Sequence, residues 1–277
     1  MNRKSRPLQL VKIVFLSIWL VLTLFPLYWI INTSLKSPGA INAFPLEYWP
    51  KVVTFENFAS LFTKSDFGVY MVNSFLAATV TATVVTLITL LSAYVLARFE
   101  FRSRGAVLGA FLVTQMLPAF IALGPLYSLM TSLGLIDSRF GLWLVYTAAA
   151  IPFSTIMLRG FFANIPDALE EAAMIDGCSR VGALFRIIVP VMLPGIVAAF
   201  IFTWVNSWNE LFLSVTLMNS DSNKTIPTAL NGFINGFNIE WGPLSAAVVL
   251  TIVPTLIMFA FASKYIVQGL TAGAVKG

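Results

Sequence analysis

The chain has 277 residues, of which 58% are hydrophobic and only 10% are charged. Ordinary soluble domains carry about 25% charged residues, so this composition excludes a typical soluble domain and is typical of a chain that crosses a bilayer. The formal net charge is +5. A basic chain can also bind nucleic acid, but here the positive charges stand in short clusters beside apolar segments, so no nucleic-acid partner is expected.

Six apolar segments are long enough to cross a membrane as helices, because a hydrocarbon core of about 30 Å takes about 20 residues. In chain order they are 13–32, 70–97, 106–130, 140–158, 191–217 and 244–263. Strands of a barrel would alternate in hydrophobicity over about ten residues, whereas these segments are apolar on all sides. The sequence therefore predicts an all-α, polytopic membrane protein with six transmembrane helices in a single domain over 1–277.

The distribution of basic residues predicts the topology. The first apolar segment exceeds the usual length of about 7–15 residues in a secretory signal, so it is interpreted as a retained helix. An even number of spans places both termini on one side, and only five of the 17 Lys and Arg residues fall on the other side: Lys36, Lys51, Lys64, Arg139 and Lys224. The positive-inside rule then predicts cytosolic termini, with an inner loop at 159–190 on the same side.

The residues that catalysis within a membrane needs are missing. The chain contains no histidine, which excludes histidine zinc sites and histidine-based catalytic pairs. It has one cysteine, Cys178, so no disulfide can form within it. It also lacks a GxxxxGK[ST] phosphate loop, so any ATP that drives transport must be bound by another chain.

One acidic residue, Glu210, lies inside a predicted span, and an intramembrane charge is a functional hypothesis by default. It lies about twenty residues beyond the inner loop, roughly 30 Å away at about 1.5 Å per residue, which places it near the outer surface and disfavours a proton relay at the midplane. The other polar candidates for a translocation path are Asn73, Gln115, Asn206 and Asn209. Hydrogen bonds between helices explain such residues equally well.

The inner loop contains the stretch EEAAMIDG at 170–177. The proline before it suits a first helical turn, and the acidic residues that follow lie near the positive end of the helix dipole. Gly177 suits a left-handed cap, so the pattern predicts a helix of about eleven residues over 166–176. Ser179 is expected to cap a second helix. These features fit a rigid elbow that docks a partner and a plain amphipathic linker equally well.

EEAAMIDG, followed by Pro190 and Pro194, resembles the EAA motif in the permease subunits of binding-protein-dependent ABC importers. RGFF before the motif, SWNE after it and the closing GLTAGAVKG are similar to the carbohydrate, maltose-type branch of that family. The resemblance covers essentially the whole chain. The sequence departs from the commonest pattern at Cys178, Val181 and Gly182, which lie outside the acidic core of the motif.

The resemblance implies a type I ABC importer permease fold in the bacterial or archaeal inner membrane. It implies that the chain forms half of a sugar pathway and is not an enzyme. The implied partners are a second homologous permease subunit, a homodimeric ATPase and an extracytoplasmic sugar-binding protein. No cofactor is expected in this chain, because ATP and Mg belong to the ATPase.

The same resemblance assigns roles to individual residues. The helix at 166–176 is the expected coupling helix in a cleft of the ATPase, where Glu171 pairs with a basic residue. The expected ATPase-coupling residues are Glu170, Glu171, Ala172, Ala173, Asp176 and Gly177. The outer segment 218–243 is similar to the region that meets the binding protein, with candidate contacts at Asn231, Gly232, Asn235 and Gly236. For residues 269–277, contact with the ATPase dimer and a plain flexible tail both stay open.

Two other classes of protein stay open at this point. An ion-coupled secondary carrier would need Glu210 or a polar cluster to bind the coupling ion. A membrane scaffold or enzyme would leave the elbow without a purpose. The cargo is also open, because permeases of this appearance carry monosaccharides, oligosaccharides and glycerol-phosphate-type solutes.

Overall fold

The structure, a computed structural model, describes the backbone of residues 6–235 and 238–274 and the side chains of 9–234 and 239–263. Helices make up most of the described chain. In chain order the α-helices are α1 (Arg6–Ser34), α2 (Pro38–Ile41), α3 (Glu56–Lys64), α4 (Phe67–Arg98), α5 (Arg104–Met116), α6 (Leu123–Ser132), α7 (Arg139–Ala163), α8 (Ala168–Ile175), α9 (Arg180–Ala183), α10 (Val189–Trp208), α11 (Phe212–Leu217), α12 (Ile226–Leu230) and α13 (Trp241–Ala274).

Short elements join these helices. The 3₁₀ turns are Ala119–Ala122, Asp221–Asn223 and Asn231–Phe233, and a π-helical turn, Leu184–Ile188, joins α9 to α10. Two short antiparallel strands, β1 (Ile234–Asn235) and β2 (Asn238–Ile239), pair with Ile234 opposite Ile239. This hairpin is too small to change the predicted all-α class.

Five described helical segments are long and apolar enough to cross a membrane: Gln9–Ser34, Phe67–Arg98, Arg139–Ala163, Arg180–Trp208 and Trp241–Ser263. A sixth candidate is the pair Arg104–Met116 and Ala119–Ser132, which is bent by 97°. Within the described ranges the protein therefore has five candidate spans, or six if the bent pair is one span. The predicted all-α, polytopic class is confirmed, whereas the side on which the termini lie stays a prediction.

The third predicted span, 106–130, corresponds to this bent pair rather than to one straight helix. α5 ends at Met116, and Leu117 has extended backbone with ψ of 127°. The ring of Pro118 clashes with helical backbone at the preceding residue, which drives Leu117 out of the helical region. A 3₁₀ turn and α6 then continue in a new direction.

The fifth predicted span, 191–217, is interrupted near its end. α10 ends at Trp208 and α11 begins at Phe212, so Glu210 lies between two helices rather than inside one. At the other end, the helix that Ser179 caps runs without a break into α10, so the continuous helical segment begins at Arg180 rather than at residue 191. α7 runs on to Ala163. The inner loop is therefore shorter than the predicted 159–190: it covers residues 164–179 and contains α8.

The chain divides into two compact units, one made of residues up to Phe67 with Leu230–Val253 and the other of Gly68–Ala229 with the remainder of the chain from Pro254. In the first unit the buried Asn57 amide donates to the carbonyls of Ser34 at 3.0 Å and Lys36 at 2.7 Å, which closes the turn after α1. The expectation of a single domain stays a prediction.

Two buried apolar clusters lie in the described part of the second unit. The first consists of Leu90, Ala93, Tyr94, Leu158, Phe162, Leu184, Ile188, Met192 and Ala199. The second consists of Ala77, Met130, Leu142, Val145, Tyr146, Leu217 and Met218. Lipid tails are as apolar as these side chains, so close packing rather than escape from water selects the arrangement within the membrane.

Of the glycines on α7 and α10, Gly195 on α10 is the one that lies directly against the other helix. A Cβ atom there would lie 2.6 Å from Cγ of Phe161. We predict that Gly195→Ala destabilises the protein by about 1–3 kcal/mol, the usual cost of overpacking. The measurement is the Tm of the purified protein in detergent.

Gly160→Ala on α7 is the matched control, because no atom lies within 4 Å of a Cβ at that position. Its Tm should not fall, and adding Phe161→Leu should recover part of the loss in Gly195→Ala. An unchanged Tm for Gly195→Ala would contradict this packing.

Candidate functional site

The EAA loop, residues 164–179, is built around the short helix α8. The helix has eight residues, Ala168–Ile175, and is shorter than the predicted eleven. Pro166 lies before it rather than in its first turn, and the Pro166 carbonyl accepts from Leu169 N at 3.2 Å. Both glutamates of the motif, Glu170 and Glu171, lie in the first turn, where the helix dipole favours negative charge.

The end of α8 has the predicted left-handed cap. Gly177 has φ of 89°, and its N–H donates to Met174 O at 3.1 Å while Cys178 N donates to Ala173 O at 3.0 Å. These two bonds form a Schellman motif, which satisfies the last carbonyls of the helix. Ser179 Oγ accepts from Gly182 N at 3.1 Å and so caps α9, as predicted.

The six predicted coupling residues divide between two faces of the loop. Glu170 and Ala173 are buried against this chain, and Glu170 is only 5% exposed. The exposed members are Glu171, Ala172, Asp176 and Gly177. Of the two alanines of the motif, Ala172 is therefore available to a partner, whereas Ala173 faces inward.

The Glu170 carboxylate lies at the centre of a polar cluster. Its Oε1 accepts a hydrogen bond from the Tyr94 hydroxyl. Its Oε2 lies 3.4 Å from Arg98 Nε, an ion-pair contact that lacks hydrogen-bond geometry, and Arg180 Nε lies 3.9 Å from Oε1. Arg98 also pairs with Asp167 and donates to the Ile165 carbonyl at 2.9 Å.

Aromatic rings surround this cluster. The Tyr94 ring packs against Phe162 with centroids 5.7 Å apart and against Phe99 at 5.9 Å. The Arg180 guanidinium lies 5.0 Å from the centroid of the Phe99 ring. A carboxylate at the edge of an apolar core has to be paired to stay charged, and here two guanidinium groups supply the opposite charge.

Tyr94 and Arg98 were missed in the sequence analysis. The signal that could have found them is their i, i+4 spacing at the C-terminal end of α4, which puts a hydroxyl and a cation on the same helix face. Their partner, Glu170, is 76 residues away from Tyr94, so no local pattern connects them.

A cavity of about 330 Å³ in the second unit is the second candidate site. It is lined by Gln115, Tyr146, Ala149, Ala150, Phe153, Ser154, Phe202, Thr203, Asn206, Ser207, Glu210 and Leu213. The rings of Phe153 and Phe202 stack with centroids 4.6 Å apart. The wall is mostly apolar, with a few amide and hydroxyl groups and the carboxylate of Glu210.

The predicted path residues divide between this cavity and other places. Gln115, Asn206 and Glu210 line it, whereas Asn73 and Asn209 are not among the lining residues. Asn73 is buried, and its amide donates to the carbonyls of Ser222 and Lys224, both at 2.9 Å. The Asn209 amide donates to Val205 O within its own chain segment at 2.8 Å.

Glu210 caps α11 at the cavity wall. Its carboxylate accepts from Leu213 N at 3.0 Å and from Ser214 N at 3.2 Å. The N–H groups at the start of a helix have no acceptor within the helix, so an acidic side chain that accepts from them stabilises the helix end. The charge of Glu210 thus has a local structural role.

The segment that follows α11 is held within the second unit by Asp137. This residue has φ of 56°, and its carboxylate accepts from Asn219 N at 3.0 Å and Ser220 N at 3.1 Å. Burial alone would raise the pKa of Asp137, but hydrogen bonds from Ser220 and its neighbours outweigh it and lower the pKa below its usual value. Arg139 Nε also donates to Asn223 Oδ1 at 3.1 Å.

The candidate binding-protein contacts follow this segment, in the first unit. Asn231 and Gly232 are exposed in a 3₁₀ turn, and Asn235 is in β1. Gly236 lies outside the described residues. Of the C-terminal stretch 269–277, the backbone is helical as far as Ala274, and the last three residues are also outside the described part.

The sequence over residues 86–270 matches the family described as the binding-protein-dependent transport system inner membrane component. The chain belongs to this family, which makes it a multi-pass membrane permease of ABC importers rather than an enzyme. In bacteria such permeases belong to the inner membrane. The matched region includes the EAA loop, which is typical of the family.

Individual relatives cover almost the whole chain. It is 37% identical over 261 residues to the sulfoquinovosyl glycerol transport system permease protein SmoH of Agrobacterium fabrum, covering 94% of this chain and 92% of that protein. It is 37% identical to the diacetylchitobiose uptake system permease protein DasC of Streptomyces coelicolor, covering 91% and 92%. It is 32% identical to the trehalose transport system permease protein SugB of Mycobacterium tuberculosis, covering 92% and 93%.

The fold is similar to a chain in the crystal structure of a bacterial ABC transporter involved in the import of the acidic polysaccharide alginate. The TM-score is 0.84 at 22% identity, covering 96% of this chain and 99% of that one. A chain in the structure of the bacterial alginate ABC transporter in complex with alginate pentasaccharide-bound periplasmic protein matches with a TM-score of 0.68 at 17% identity, covering 94% and 93%. These matches confirm the predicted permease fold.

The left-handed backbone at Gly177 generates a prediction about the elbow of the loop. A side chain there would meet no atom within 4 Å, so Gly177→Ala adds only backbone strain, about 1–2 kcal/mol. We expect a lower Tm and faster proteolysis of the loop in Gly177→Ala. Gly109→Ala on α5 is the control, because a Cβ there also meets no atom within 4 Å and the backbone φ is not positive. Equal Tm values and proteolysis rates in the two variants would contradict the left-handed cap at Gly177.

Proposed function

We propose that the chain forms half of a sugar translocation pathway in a bacterial or archaeal importer. Its partners are a second homologous permease subunit, a homodimeric ATPase that holds ATP and Mg, and an extracytoplasmic sugar-binding protein. The observation that carries the proposal is the EAA loop, in which Glu171 is exposed beside the rigid Gly177 cap. The names of the relatives, which transport sugars and sugar derivatives, support the cargo class.

The exposed face of the EAA loop is the proposed contact with the ATPase. Ala172 has a small side chain that permits close approach, and Glu171 offers a carboxylate to a basic residue of the ATPase. Asp176 and Gly177 lie exposed at the C-terminal end of the same helix. The excess of basic residues on the side of the termini supports a cytosolic position for this face.

The cavity in the second unit is the proposed part of the path in this chain. Its volume of about 330 Å³ lies at the small end of ligand cavities, which range from about 300 to 1,000 Å³. The Phe153 and Phe202 rings offer apolar faces to the C–H face of a sugar ring, and the amides of Gln115 and Asn206 can bond its hydroxyls.

The charge of the cavity wall favours a neutral sugar over a glycerol-phosphate-type solute. No Lys or Arg lines the cavity among the described residues, and Glu210 adds a negative charge. A phosphate ester would normally need Arg, Lys or several free N–H donors. An ion-coupled carrier is also disfavoured, because the Glu210 carboxylate is occupied by the N–H groups of α11.

In the proposed cycle, ATP binding closes two ATPase subunits and draws the EAA loops of the two permease subunits together. The spans rotate and open the path toward a loaded binding protein, and hydrolysis resets them inward. This chain contributes the loop that is moved and one wall of the path.

The coupling face is tested by reconstituting the permease pair with its ATPase and binding protein and screening sugars for stimulated ATP hydrolysis. Glu171→Lys should lower the stimulated hydrolysis by about tenfold or more, because it replaces an attractive charge in an interface with a repulsive one. Glu100→Lys reverses another exposed acidic side chain, on the residues joining α4 to α5, and serves as the control. Normal sugar-stimulated hydrolysis in Glu171→Lys would contradict the proposed coupling face.

The proposed path is tested by truncating the stacked rings. Phe153→Ala and Phe202→Ala should each raise the KM for sugar uptake by about 2- to 10-fold, which corresponds to the roughly 0.5–1.5 kcal/mol of an aromatic contact. Phe140→Ala is the matched control on α7, since Phe140 is exposed but does not line the cavity. Unchanged KM values in both cavity variants would show that the sugar does not pass these rings.

A further inference from the structure

We propose that Glu170 is a positioning residue that fixes the EAA loop to α4, so that the two neighbouring glutamates of the motif have different tasks. Glu171 meets the ATPase, and Glu170 transmits the displacement of α8 to a membrane span. This inference rests on the proposed function, because it presupposes that the ATPase moves the loop.

The opposite burial of the two glutamates is the first observation behind the proposal. Successive residues of an α-helix point about 100° apart, so both carboxylates cannot face one partner equally. Glu170 is buried and Glu171 is exposed. The inward carboxylate is therefore free to serve a connection within the chain.

The partners of Glu170 come from elements on both sides of the loop. Tyr94 and Arg98 lie one turn apart at the end of α4, a span of 32 residues. Arg180, 3.9 Å away, is the first residue of α9. The carboxylate thus connects α8 with one span directly and with the start of the continuous Arg180–Trp208 helical segment.

Arg98 makes the connection rigid, because it holds the loop at three places. It donates to the Ile165 carbonyl, pairs with Asp167 and lies against Glu170. Its own side chain is only 10% exposed, so loss of the Glu170 charge leaves a poorly solvated guanidinium without one of its counter-charges. A three-point attachment restricts rotation of α8 about its own axis.

The connection continues from α4 toward the cavity. Trp204 Nε1 on α10 donates to Thr79 Oγ1 on α4 at 3.1 Å, and the Phe75 ring packs edge-on against Trp204. Phe202 and Asn206, on the same helix as Trp204, line the cavity. A displacement of α4 therefore acts on the helix that forms the cavity wall.

The experiment measures sugar transported per ATP hydrolysed in proteoliposomes that contain the complete transporter. Glu170→Gln keeps the size of the side chain and removes its charge. We expect it to retain the ATPase on purification and to hydrolyse ATP within about twofold of the wild type, while transport per ATP falls at least about fivefold. A merely structural residue would lower Tm or assembly without changing this ratio.

Glu171→Gln is the matched variant at the neighbouring position. It should weaken association with the ATPase, so hydrolysis and transport fall together and their ratio stays near the wild-type value. Tyr94→Phe, which removes one hydroxyl, should lower the ratio in the same direction as Glu170→Gln. The double variant should be no worse than Glu170→Gln alone, because both remove the same connection.

A wild-type ratio in both Glu170→Gln and Tyr94→Phe would overturn the proposal. Loss of the ATPase from Glu170→Gln as severe as that from Glu171→Gln would also overturn it, because Glu170 would then be a contact residue. If Glu170→Gln does not assemble, Tyr94→Phe decides by the same ratio. A wild-type complex that shows no sugar-stimulated hydrolysis would instead refute the proposed function itself.

Discussion

The contacts of the buried Glu170 carboxylate with Tyr94 and Arg98 hold the EAA loop in place. Isolated helices shorter than about 12–15 residues are marginal in water, and α8 has only eight residues. The side chain of its N-cap residue, Asp167, makes no capping hydrogen bond and pairs instead with Arg98. The helix is therefore held by its connection to α4 and by the Gly177 cap rather than by its own propensity.

The two candidate sites share a single stretch of helix. The segment Arg180–Trp208 begins beside the Glu170 cluster and ends beside the cavity, with the π-helical turn near its start. π-Helical turns are frequent at functional sites and are places where a helix can adjust its winding. The geometry suits a transporter in which a loop moved from one end alters the wall of a path at the other.

Hydropathy and the EAA motif were sufficient to predict the class of protein, because a bilayer forces apolar helices and the motif is long. The caps at Gly177 and Ser179 were also predictable, since each depends on local backbone chemistry. The break at Pro118 was visible as a proline but not as a 97° turn, because window-averaged hydropathy ignores backbone geometry. The inward direction of Glu170 was not predictable, since it depends on Tyr94, 76 residues away.

If the Glu170 cluster fixes α8 to α4, then α8 and the end of α4 move as one body, which a distance measurement between them can check. In a Cys178→Ser background, which removes the only cysteine, spin labels are placed at Leu91 on α4 and Ile175 on α8, both exposed. Pulsed EPR on the assembled transporter then compares the nucleotide-free and ATP-bound states. We expect one narrow distance that is the same in both states and that broadens when Glu170→Gln is added. A distance that shifts with ATP in the otherwise wild-type chain would contradict it.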